Sequence, residues 1–177
     1  MIEPSFYASS PATAHLVAPT TASTLLPTSP ALDVMTDLAS ETAHVVAPDR
    51  HIDAALHDMI LFGVRLLLVV HEQVVTGIVT SYDIMGERPI QFLQDPFRST
   101  VPHRHADVRV ADIMTPIANV RPLRMKWVSR ASVADVAALF RSTDETHLLV
   151  ADDEPGGSVV IRGIFSRTRL ERQLDGH

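Results

Sequence analysis

The segment Gly77-Ile-Val-Thr-Ser-Tyr-Asp83 sets a hydroxyl and a carboxylate three residues apart at the end of an apolar run. A carboxylate can accept two hydrogen bonds from a vicinal diol, and free N–H groups at a helix start favour a phosphate. Thr80 and Asp83 also spell a capping box, in which both side chains satisfy helix N-terminal donors and bind nothing else. A second segment, Gly163-Ile-Phe-Ser166, repeats the pattern but carries Arg169 where the first has Asp83. Arginine has no acceptor and cannot hold a diol in the same way. Arg162, Arg167, Arg169 and Arg172 cluster around this second helix start, either as an anion site or as a solvated basic face beside Glu171.

Other chemistries find little support. The chain has no cysteine, which removes disulfides, thiolate metal sites and cysteine nucleophiles. His103 and His105 lack an acidic or thiol partner at metal-ligand spacing, so a solvated loop is expected there. His147 lies in an expected β segment, where it could meet a ligand. No nucleophile elbow, phosphate loop or His-Glu-x-x-His helix occurs, and Asp152, Asp153 and Glu154 read as a solvent-facing turn. No enzyme is expected.

The elements that must position these residues occur twice. Asp33-Val-Met-Thr36 and Asp112-Ile-Met-Thr115 open the two copies, with Met35 and Met114 79 positions apart. A helix follows each opening. Ile52, Ala55, Leu56, Met59 and Ile60 form the apolar stripe of the first; Val133, Val136, Ala137 and Phe140 form that of the second. Arg65–Val70 and Thr146–Val150 are expected strands, each followed by a turn and by the strand ending at Thr80 or Ser166. Four matched blocks in one order make an internal repeat, with the added residues in loops. Each copy therefore reads strand, helix, strand, turn, strand, helix. A unit of about 60 residues is marginal alone, so the two copies should pack together.

The repeat resembles the CBS domain, and two in tandem resemble a Bateman module. The resemblance rests on the two Met-Thr openings, the Phe62-Gly63-Val64-Arg65 turn and the Gly77-to-Asp83 close. It implies an α+β (α/β) fold of two βαββα repeats with pseudo-two-fold symmetry. Expected boundaries are an irregular arm over 1–30, a first repeat over 31–95, a connector over 96–106 and a second repeat over 107–174. The segment 123–128, with the chain's one tryptophan, reads as a strand continuation, a dimer contact or core.

The resemblance also implies a site. Its ligands are AMP, ADP, ATP or S-adenosylmethionine, taken as regulatory ligands with no cofactor required. Thr80 would meet phosphate and Asp83 the ribose hydroxyls, with Ser81 beside them in the ligand site. Thr36, Leu38, Ala39, Val45, Ala47, Val64, Arg65, Leu66 and Leu67 would wall the adenine pocket, although apolar residues suit such strands regardless. Ser166, Arg167 and Arg169 would serve from the second copy, with Arg167 or Arg169 neutralising phosphate of a nucleotide held by Thr80 and Asp83. The family implies a homodimer, and the module needs an unidentified protein partner to read it. The rival reading is a ligand-free dimerisation or docking scaffold.

Composition fits this picture. A net charge of −6 argues against a general nucleic-acid or anionic-membrane binder. The apolar stretch from Ile60 to Val70 is broken by Arg65 and too short to span a bilayer. Glu3 and the lack of early Lys or Arg read against a secretory signal, and the absence of cysteine fits a reducing cytoplasm.

Overall fold

The computed structural model describes residues 25–95, 104–154 and 158–174. The first repeat runs β1 (Thr36–Asp37), β2 (Val45–Val46), α1 (Ile52–Phe62), β3 (Leu66–His71), β4 (Val74–Thr80), α2 (Ser81–Met85) and α3 (Arg88–Gln94). The second runs α4 (Val110–Ile113), β5 (Thr115–Pro116), β6 (Leu123–Arg124), α5 (Met125–Val128), α6 (Val133–Arg141), β7 (His147–Asp153), β8 (Val159–Ser166) and α7 (Arg167–Leu174). These form two four-stranded sheets, β2-β3-β4-β5 and β1-β8-β7-β6. The fold is the expected α+β pair of repeats.

Each opening strand is laid on the sheet of the other repeat. β5 pairs antiparallel with β4, and β1 pairs antiparallel with β8. The strand that completes a repeat's own sheet is instead β2 or β6, each parallel to its neighbour. Two-residue strands are too short to show alternation, so the sequence pattern passes over this exchange.

The exchange explains two recurring residues. Gly77 lies under β5, where an added Cβ would stand 2.6 Å from the Thr115 carbonyl oxygen. Gly163 lies under Met35, whose side chain a Cβ would overlap. The methionine of one repeat's opening and the glycine of the other's closing motif are thus two halves of one contact.

Strand alternation sorts the core into layers. Leu67, Val69 and Val79 pack with Ile52, Ala55 and Met59 of α1, whereas Leu66, Leu68 and Ile78 face Leu149 between the sheets. In the second repeat Val150 and Phe165 pack with Val133, Val136, Phe140 and Leu170. The predicted stripe of α1 is correct except at Ile60, which is 72% exposed. α1 ends at Gly63, whose φ of 68° lets its N–H and that of Val64 reach the carbonyls of Ile60 and Met59. α6 starts from a capping box of Ser132 and Asp135. The Ser132 N–H first, and its hydroxyl second, hold the Asp135 carboxyl below its ordinary pKa.

The end of the N-terminal arm lies along the second repeat. The N–H groups of Val133 and Ala134 donate to the carbonyls of Ser29 and Pro27, supplying acceptors that a helix start otherwise lacks. Leu25 packs on that core, while Leu26 is exposed. Residues 1–24 of the arm and 96–103 of the connector lie outside the described residues. Pro89–Leu93 belongs to α3, which is separated from α2 by an extended Gly86. Segment 123–128 divides into β6 and α5, with Val128 buried and Trp127 40% exposed.

Candidate ligand-binding cleft

The turn at Gly63 delivers Val64 and Arg65 to the mouth of β3, next to the chain leaving β1. The Leu38 N–H donates to the Arg162 carbonyl, which fixes that chain against β8. From the second repeat, β7 contributes His147, β8 contributes Ile164 and Ser166, and α7 contributes Thr168, Arg169 and Arg172. These groups enclose a cleft of about 230 Å³ between the repeats. Leu38, Val64, Leu66 and Ile164 make its apolar wall, and Thr36, Thr42, His44, Ser166 and Thr168 add polar groups.

The cleft carries positive charge. Arg65 Nη1 donates to Thr168 Oγ1 at 3.0 Å, and Arg169 Nη1 donates to Thr36 Oγ1 at 2.8 Å. Both bonds cross from one repeat to the other. No Asp or Glu borders the cleft among the described residues. His147 is buried beside Arg65, its Nδ1 3.0 Å from the Thr146 hydroxyl. Burial, and then the Arg65 charge, push its pKa down to about 4 against the opposing pull of Asp83. The imidazole is therefore neutral at pH 7.

The predicted site residues divide. Thr36, Leu38, Val64, Arg65, Leu66, Ser166 and Arg169 line the cleft together. Leu67 points the other way, because successive strand residues alternate, and is sealed in the α1 core. Ala39 is exposed one position past Leu38, its N–H held by the Asp37 carboxylate. Val45 is 54% exposed, and Ala47 is exposed where the chain leaves β2; neither borders the cleft. Arg167 turns away: its guanidinium donates to the carbonyls of Thr143 and Glu145 and lies 5.4 Å from the Phe140 ring centre.

Thr80, Ser81 and Asp83 are not among the lining residues, although Thr80 pairs across the sheet with Leu66 and the Ser81 N–H donates to the Arg65 carbonyl. Thr80 and Asp83 form a complete capping box, with Asp83 Oδ2 accepting from the Thr80 N–H at 2.8 Å and its hydroxyl at 2.7 Å. Asp83 Oδ1 pairs with Arg88 at 3.1 Å. Arg88 Nη1 also donates to the Ile113 carbonyl and to Thr115 Oγ1, beside a more open hollow of about 400 Å³. The carboxylate is thus already engaged on both oxygens.

Sequence reasoning missed Thr42, His44, Gly63, Ile164 and Thr168 as cleft residues. Alternation along β8 could have assigned Ile164 to the same face as Ser166, and Arg172 stands one helical turn after Arg169. No sequence signal marks Thr42 or His44. Among the described residues no cluster of three or more His, Asp or Glu could hold a metal; His105 lies 3.6 Å from Asp53. No described helix is long and apolar enough to cross a membrane.

The comparisons accord with this architecture. Residues 31–89 match the family model of the CBS domain. CBSX2 in complex with AMP is 26% identical, with a TM-score of 0.55 over 81% of this chain and 94% of that one. The CBS-pair protein CBSX2 from Arabidopsis thaliana is 25% identical, with a TM-score of 0.52 over 81% and 92% of the two chains. An uncharacterized conserved protein from Pyrococcus horikoshii is 23% identical and shares the fold, with a TM-score of 0.56 over 84% and 93%. No curated protein matches the chain.

Proposed function

We propose that the chain, whose residues 31–89 match the CBS domain and whose fold is that of CBS-pair structures, is a tandem CBS-domain protein and a regulatory module binding an adenosine-containing ligand between its repeats. One observation carries the reading: the 230 Å³ cleft opposes an apolar wall from both repeats to three arginines and contains no carboxylate among the described residues. Its volume lies just under the usual small-molecule range of about 300–1,000 Å³, so a nucleoside would fill it and leave phosphates at the rim. The AMP complex of the 26% identical neighbour supports an adenine nucleotide as the ligand. Arg65–Thr168 and Arg169–Thr36 tie the repeats together across the cleft. A ligand that competes for these side chains would shift the balance between repeat arrangements, and a protein partner would read the shift.

A second, compatible reading is assembly. Ile60, Leu61, Tyr82 and Met85 are exposed on α1 and α2, which pack against each other. Such a face suits a homodimer, and the scaffold alternative would rest on it alone.

Calorimetric titration of AMP, ADP, ATP and S-adenosylmethionine tests the first reading, using wild type and Thr42→Trp. Thr42 is an exposed rim residue, so the indole obstructs the cleft without entering the core. Saturable binding that Thr42→Trp weakens at least about tenfold, 1.4 kcal/mol, supports the module. No binding of any of the four at millimolar concentration leaves the scaffold.

A further inference from the structure

Resting on the reading of the cleft as an adenosine-ligand site, we propose that it selects its ligand by charge, taking the phosphorylated nucleotide and rejecting both uncharged adenosine and the sulfonium cation S-adenosylmethionine. Arg65, Arg169 and Arg172 supply the selectivity. Arg65 is held only by a hydroxyl, Arg169 only by a hydroxyl, and Arg172 has no partner among the described residues. Three guanidinium charges therefore meet at one mouth without a carboxylate to neutralise them, an arrangement that repels cations and suits the oxygens of a phosphate.

The geometry suits a chain of phosphates better than a single one. Arg169 and Arg172 lie three positions apart, on one face of α7, and Arg65 faces them from the first repeat. A di- or triphosphate leaving the apolar wall can engage both sides. Arg169 is also the counterpart of Asp83 in the first repeat, so the second repeat carries a hydrogen-bond donor where the first carries an acceptor. Asp37 pairs with Arg162 and Asp83 with Arg88, and Glu171, between Arg169 and Arg172 in sequence, is not among the lining residues.

The test is calorimetric titration of adenosine, AMP, ADP, ATP and S-adenosylmethionine into wild type, Arg169→Gln and Arg172→Gln, with circular dichroism to verify folding. Both arginines are exposed, which favours folded variants. Affinity should rise at least about tenfold from adenosine to ADP or ATP, and S-adenosylmethionine should bind more weakly than AMP. Each variant should lose about fivefold or more for ATP while adenosine changes less than about twofold. Equal affinity for adenosine and ATP, or equal losses for both in the variants, overturns selection by charge while leaving the cleft reading intact. Failure of every adenosine compound to bind overturns the cleft reading itself.

Discussion

Arg169 donates to the hydroxyl of Thr36 at 2.8 Å, although the two residues come from different repeats. The counterpart of Thr36 in the other half is Thr115, and its hydroxyl accepts instead from Arg88 at 2.9 Å. Each half thus satisfies its opening threonine with an arginine, but only one of those arginines also has a carboxylate. Asp83 neutralises Arg88; nothing acidic neutralises Arg169 among the residues of its cleft. The loss of one acid makes the two halves electrostatically different.

Asp83→Asn should be a stability variant more than a binding variant. It weakens the cap of α2 and leaves Arg88 without its counter-ion, a cost of about 1–2 kcal/mol. Denaturant midpoints should fall accordingly, while ADP affinity stays within about threefold of wild type. Loss of binding at unchanged stability would reassign the carboxylate to the ligand.

The two motif glycines should respond unequally to alanine. At Gly77 the new methyl meets the backbone of Thr115, which belongs to the exchanged strand and must move with it. At Gly163 it meets the flexible side chain of Met35. Gly77→Ala should cost about 1–3 kcal/mol, the range for overpacking, and Gly163→Ala clearly less. Parallel chemical denaturation of the two variants checks the order.

His147 makes stability depend on pH. Its folded pKa, about 4, lies below its ordinary value of 6.5, so the unfolded chain binds the extra proton first. This contribution is complete above pH 6.5 and is lost as pH falls toward 4, by up to about 3 kcal/mol. His147→Leu, which installs the residue found at the equivalent Leu66, should flatten stability over that window. An unchanged slope in urea titrations between pH 4 and 6.5 would show that other groups govern it.

Much of the fold is legible in the sequence because its signals are local. The helix stripes, the Gly63 cap and the paired motifs each follow from spacing within one segment. The strand exchange is not legible, since β1 and β5 hold two residues each and pair with distant chain, Thr36 with Ile164 and Pro116 with Gly77. That exchange decides which residues share a cleft. Leu38 and Val64 were readable as walls, but they share the cleft with Ser166 and Arg169, whereas Asp83 is paired with Arg88. Leu67 was misplaced for a simpler reason, a single step of strand alternation.

The central claim is that one cleft, bounded by Leu38, Val64, Ile164 and Arg169, holds an adenosine ligand. A crystal structure of the full chain grown with ADP tests it most directly. The account predicts the base against Leu38, Val64 and Ile164, with phosphates among Arg65, Arg169 and Arg172. A nucleotide seated instead over Thr80 and Asp83, or no nucleotide at saturating concentration, would contradict it.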